Sequence, residues 1–174
     1  MATEELAGTK RLALLGVLTA LCVVLRIFKI IPVPNVQPVT TIIMLTTLFV
    51  SGGMGFALAI LTMIISNIFL GFGIWTIPQI LAYGGCVLTI LLFKKLTPLT
   101  KWFWLQLALV AFLGIEYGIL VDLGMTTIFG GLPAFIAYWA GSILFDTYHA
   151  IGNVVFYLLL YKPISLALQH FFED

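Results

Sequence analysis

Long apolar runs, separated by short breaks of Gly, Pro, Lys or Asp, make up nearly the whole chain. A helix that crosses a bilayer needs about 20 mainly apolar residues, with a range of about 17–25. Six runs meet or approach that length. They cover residues 12–31, ended by Pro32 and Pro34; 36–50, ended by Ser51, Gly52 and Gly53; 54–70, ended by Gly71 and Gly73; 77–93, ended by Lys94, Lys95 and Pro98; 102–121, ended by Asp122 and Gly124; and 134–160, ended by Lys162 and Pro163. The second run is short and rich in threonine, so five spans with a re-entrant second segment is the competing count. Local signals agree with helix starts. Thr76-Ile77-Pro78-Gln79 reads as a capping box with proline in the first turn. Thr97-Pro98 and Leu132-Pro133 place proline where an unpaired N–H is expected anyway. No internal repeat or linker is visible, so residues 1–174 read as one transmembrane domain.

Composition sharpens this picture. Charged residues make up 9% of the 174 positions and hydrophobic residues 62%, against about 25% charged in an ordinary soluble domain. Mean hydropathy is +1.19. So few charges cannot keep the surface of a soluble domain wet. A soluble globular protein, a disordered chain and a basic nucleic-acid binder are excluded. Cys22 and Cys86 lie inside apolar runs and read as small buried hydrophobes, with no disulfide framework and no metal site. Lys10 and Arg11 precede an apolar stretch, but no small-x-small cleavage site follows, and Leu21 stands before Cys22. The stretch reads as a retained first span.

Charge placement orients the bundle. With six spans and the N-terminus inside, Lys10, Arg11, Lys94, Lys95, Lys101 and Lys162 fall on the cytoplasmic side, and Arg26 and Lys29 on the outer side. Six against two follows the positive-inside rule. The expected fold is all-α, with six transmembrane helices and both termini cytoplasmic.

Polar side chains gather toward the outer side. The outer connections are PVPNVQP (32–38), GFGIWTIP (71–78) and DLGMTTIFGGLP (122–133). They carry Asn35, Gln37, Trp75 and Thr126, and loops on a rigid scaffold are where binding residues tend to sit. Trp75 reads equally as an interfacial belt residue. In the last span, Tyr138, Ser142, Asp146, His149 and Asn153 fall within an arc of about 80° at about 100° per residue. An Asp at a span centre costs about 2.5–3.5 kcal/mol on insertion scales, so this stripe faces the interior, a cavity or a partner. It reads either as a ligand pocket or as an interhelical hydrogen-bond network with Asp146 and His149 paired. Glu116 is an intramembrane carboxylate, a functional candidate by default; the plainer reading pairs it with Arg26 or Lys29. On the first span, Ala13, Gly16 and Ala20 form a ridge of small residues that lets another helix approach closely.

Several chemistries are missing from the sequence. There is no G-x-x-x-x-G-K-[ST] loop, no H-E-x-x-H and no G-x-S-x-G. The chain has polar features suited to holding a solute and no visible energy source.

Taken together, these features resemble the substrate-binding S-component of an energy-coupling factor (ECF) vitamin transporter. The resemblance covers length, helix count, termini and outer loops. The ridge at Ala13, Gly16 and Ala20 resembles the Ala-xxx-Ala surface that docks on the coupling subunit, with Gly16 in place of the first alanine. The strings NVQPVT (35–40) and LGFGIWTIPQ (70–79) most resemble the cobalamin-specific group. The resemblance implies a multi-pass protein of the bacterial cell membrane that captures a vitamin outside and topples against the coupling subunit to release it inside. Two ATPase subunits would hydrolyse ATP, with no cofactor, no catalytic residue and no metal in this chain. The expected ligand contacts are Asn35, Gln37, Thr40, Trp75, Gln79, Glu116, Thr126 and Tyr138. Amides and hydroxyls would bond ligand amides, and aromatics would cover apolar surface. Cobalamin fits the modest outer charge; riboflavin or pantothenate would be alternatives. His149 as an axial cobalt ligand is chemically conceivable, but it lies too deep. A small membrane enzyme using Glu116 or Asp146, and an assembly subunit, are the competing classes.

Overall fold

The computed structural model describes residues 2–28, 33–129 and 131–173, with side chains given for 8–28, 33–127, 133–168 and 171. Six helices follow one another: α1 (Ala2–Ile27), α2 (Val39–Phe49), α3 (Gly52–Leu70), α4 (Thr76–Leu96), α5 (Phe103–Phe129) and α6 (Gly131–Glu173). Among the described residues, α3, α4, α5 and α6 are each long and apolar enough to cross a membrane.

α2 departs most from the expected span. It has 11 residues, about 16 Å of rise, which is half a bilayer core. Its ten residues Val39 to Leu48 are all buried, because α2 stands in the middle of the bundle and touches each of the other five helices. Around it run α1, α3, α4, α5 and α6, each packed on the next. A short helix with non-helical backbone before it is tolerated at membrane depth when protein surrounds it. Its four threonines suit that place. Thr41 donates to the Asn153 carbonyl at 3.2 Å, and Thr47 returns its hydroxyl to the Ile43 carbonyl at 2.7 Å.

Other boundaries move for local reasons. Ser51 caps α3 by accepting from the Met54 N–H at 3.2 Å, and Gly52 and Gly53 begin that helix rather than forming a turn. The expected capping box at Thr76 is not formed: Trp75 is the N-cap and makes no side-chain cap bond. Thr97 ends α4, Pro98 sits in a turn that accepts from the Lys101 and Trp102 N–H groups, and α5 starts at Phe103. Asp122 and Gly124 do not stop α5. Thr126 and Thr127 bond back to the Asp122 and Gly124 carbonyls at 2.8 Å, and a Cβ on Gly124 would sit 2.9 Å from the Pro78 side chain. The close approach of α4 is what glycine permits there. α6 runs through Pro163, since Ile164, Leu168 and Phe171 beyond it pack against the core.

The bundle has two unlike ends. At one, called here the lysine end, Lys94 donates to the Leu48 carbonyl at 2.8 Å and closes the C-terminus of α2. The other, the Trp75 end, holds residues 33–38 and 71–75. Gly71 has φ +108°, a turn for which glycine is suited, and the Trp75 ring lies over Gly73.

Candidate functional site

Buried polar side chains gather toward the Trp75 end in three groups. The first joins α1, α3 and α4. Arg26 is 8% exposed; it donates from Nη1 to Ser66 Oγ and to Asn67 Oδ1 at 2.7 Å, and from Nη2 to Gln79 Oε1 at 3.5 Å. Asn67 in turn donates from Nδ2 to Gln79 Oε1 at 2.8 Å and to Thr76 Oγ1 at 3.0 Å. The expected pairing of Arg26 with Glu116 is not present. Its neutral partners come from the ends of α3 and α4 that meet the last turn of α1. Lys29, the other proposed partner, lies outside the described residues.

The second group centres on His149, which is 1% exposed. Its Nε2 is hydrogen-bonded to Thr40 Oγ1 at 2.8 Å, and Thr40 lies 3.4 Å from the Tyr83 hydroxyl. The Tyr117 ring meets His149 edge-on at 5.1 Å between centroids and packs on Tyr83 at 4.3 Å. This corrects the expected Asp146–His149 pair: α2 presents Thr40 to the imidazole instead. Four helices thus meet at one buried knot.

In the third group Ser142 stands between two buried carboxylates. Its Oγ lies 2.5 Å from Asp122 Oδ2 and 3.1 Å from Asp146 Oδ2. Gly118 gives the room, since a Cβ there would collide with the Asp146 carboxylate. Deeper along the α6 stripe, Asn153 donates to the Val110 carbonyl at 3.2 Å. So the stripe turns inward from Ser142 to Asn153, while Tyr138 at its start is 52% exposed.

Of the expected contact residues, Thr40 and Gln79 join these groups. Trp75 borders them on the connecting loop and is exposed. Asn35 is exposed with φ 62°, and Gln37 is half-buried. Thr126 is buried, but its hydroxyl is spent on its own helix. Glu116 stands apart, midway along α5, where Oε1 accepts from Thr89 at 2.6 Å. Residues 10, 11, 94, 95, 101 and 162 are the basic side chains of the opposite half. Sequence reasoning passed over Ser66 and Asn67. Their signal was two adjacent polar residues near the end of an otherwise apolar run. Arg26 was weighed only as a counter-ion for Glu116.

The family model described as ECF transporter, substrate-specific component matches residues 10–161. The chain belongs to that family. No curated protein and no solved structure matches it significantly. As an ECF S-component it is a transporter subunit that binds substrate and not an enzyme, which sets aside the reading of Glu116 or Asp146 as catalytic carboxylates. Membership also implies a vitamin-type substrate and assembly with the ECF coupling and ATPase subunits. Its apolar helices agree with residence in a membrane.

Proposed function

We propose that this S-component captures a vitamin, cobalamin first among the candidates, at the Trp75 end, with that end facing outside a bacterial cell and both termini inside. What carries the reading is the collection of amides and hydroxyls beside the 33–38 and 71–75 segments: buried Asn67, Thr76 and Thr40, and half-buried Gln79. Neutral donors and acceptors of this kind suit a ligand rich in amides. Asn35, Gln37, Trp75, Thr126 and Tyr138 lie on or beside the same end and are the proposed ligand contacts around that core, with Glu116 furthest from it. The strings NVQPVT and LGFGIWTIPQ are the reason for placing cobalamin before riboflavin and pantothenate. Partner ATPases supply the energy, and the coupling subunit docks along Ala13, Gly16 and Ala20.

The decisive experiment is titration of the purified chain in detergent with cyanocobalamin, riboflavin and pantothenate. Saturable binding of cyanocobalamin without chemical turnover supports the reading. A folded chain that binds none of the three would overturn it. Delivery by toppling makes a further demand. Phe72 and Ile74 are exposed, and a lysine carried into hydrocarbon costs about 2.5–3.5 kcal/mol at its deepest point. Phe72→Lys with Ile74→Lys is expected to slow uptake by about tenfold or more while changing the vitamin Kd by less than about threefold. Equal losses in uptake and binding would count against toppling.

A further inference from the structure

We infer that Arg26 receives an anionic group of the transported compound, a carboxylate or a phosphate ester. This deepens the proposed function and rests on it. The guanidinium is buried at the Trp75 end, and every partner it has among the described residues is neutral: a serine hydroxyl and two carboxamide oxygens. The described carboxylates of α5 and α6 are engaged elsewhere. Asp122 and Asp146 meet Ser142, and Glu116 meets Thr89. A buried cation without a counter-charge carries a desolvation cost of several kcal/mol that neutral dipoles offset only in part.

Its hydrogen-bonding capacity is also only partly spent. A guanidinium offers five N–H donors in a planar fork, suited to carboxylate and phosphate oxygens. Nη1 is used twice, the bond from Nη2 to Gln79 is long at 3.5 Å, and the remaining N–H groups have no partner among the described residues. The neighbours are arranged as a rigid support. Asn67 donates both to Gln79 Oε1 and to Thr76 Oγ1, which fixes its own oxygen toward Arg26. The side chain is therefore held in place before a ligand arrives, and Gln79, half-buried beside the 71–75 connection, links it to the proposed contact residues. Tyr83 and Tyr117 lie within electrostatic range of the same charge.

The two sources of the anion are separated by matched ligands. The wild-type chain is titrated with three pairs that differ in that group alone or nearly so, pantothenate and pantothenol, biotin and biotin amide, pyridoxal phosphate and pyridoxal, and with a fourth, cyanocobalamin and dicyanocobinamide. The last pair differs by the nucleotide loop with its phosphodiester. The charged member of the pair that binds is expected to be about 30-fold tighter or more, as for a buried charge that loses its partner. Preference within the pantothenate or biotin pair assigns a carboxylate, and within the pyridoxal pair a phosphate; within the cobalamin pair it assigns a phosphate only where Arg26→Gln erases it. Arg26→Gln is expected to erase the preference, and Arg26→Lys to keep part of it. Because the ligand comparison uses the unaltered chain, a variant that fails to fold does not decide the matter. Pair members bound within about threefold of each other by wild type, or a preference that survives in a folded Arg26→Gln chain, would overturn the inference and leave the vitamin-binding function standing. Failure to bind any of the eight compounds would overturn the inference, and if riboflavin is not bound either, the proposed function as well.

Discussion

Gly16→Leu is expected to cut vitamin uptake by cells about tenfold or more while leaving vitamin binding by the purified chain unchanged. Position 16 is exposed, and a Cβ built there meets nothing within 4 Å. A side chain can therefore leave the backbone there without meeting an internal neighbour. Ala13 and Ala20 on the same face are exposed as well. Between α1 and α3 a shallow apolar groove of about 370 Å³ is lined by Gly16, Thr19, Ala20, Val23, Val24, Leu61 and Ile65. Small residues on such a face let a second helix come close, and a leucine side chain in that path forces the helices apart. Overpacking a close contact costs about 1–3 kcal/mol, which is about 30-fold in complex formation at the midpoint. The measurements are vitamin uptake in cells expressing the full transporter, copurification of the coupling subunit, and ligand titration of the isolated chain. Wild-type uptake with Gly16→Leu would remove this face from the docking surface. Loss of ligand binding together with uptake would mean that the ridge serves the fold instead.

Apolar run length made the helices legible, and it failed where packing decides. A stop was expected at Asp122 because a carboxylate and Gly124 follow an apolar run. In the structure Ser142 reaches the carboxylate from α6 and Pro78 packs against Gly124, so α5 continues to Phe129. Neither partner is near in sequence. Pro163 should have closed α6, yet apolar side chains beyond it reach the core and hold the helix on. The second run was recognised as short and threonine-rich, but not as the bundle's centre, because composition reports lipid-like surroundings without telling lipid from protein. The site shows the same division. The α6 stripe was visible as a periodicity and does turn inward from Ser142 to Asn153. Which groups it meets was not visible, since Thr40 and Asp122 come from helices whose rotation no single-helix pattern fixes. Arg26 was misassigned for that reason: from sequence its natural partner is an acid, whereas the fold offers it amides and a hydroxyl.

The seam between α5 and α6 carries the largest expected effect on stability. Gly114→Val is expected to abolish recovery of folded protein, and Gly114→Ala to lower its melting temperature measurably. A Cβ on Gly114 would lie 2.6 Å from the Ala150 nitrogen, 2.7 Å from its Cα and 3.0 Å from the His149 carbonyl carbon. These are backbone atoms of a long helix, so the strain cannot be relieved by a side-chain rotation. The two helices must separate. Separation then strains the contacts that cross the seam on either side of position 114. Those are Ser142 with Asp122, Asn153 with the Val110 carbonyl, and the hydrogen bond from Tyr157 to Gln106. Overpacking alone costs about 1–3 kcal/mol, and each buried polar group left unpaired adds about 1–3 kcal/mol. The sum is comparable to the whole stability of a domain, about 5–15 kcal/mol. Gly141→Ala is the control in the same pair of helices, because a Cβ there meets nothing within 4 Å; it is expected to leave stability unchanged or slightly raised. Thermal unfolding of the detergent-solubilised variants, followed by size-exclusion profile, reads the difference. A monodisperse Gly114→Val chain that melts with wild type would show that α5 and α6 do not depend on this approach. A Gly141→Ala chain as damaged as Gly114→Ala would show that helix propensity or lipid contact, and not the crossing, sets the outcome.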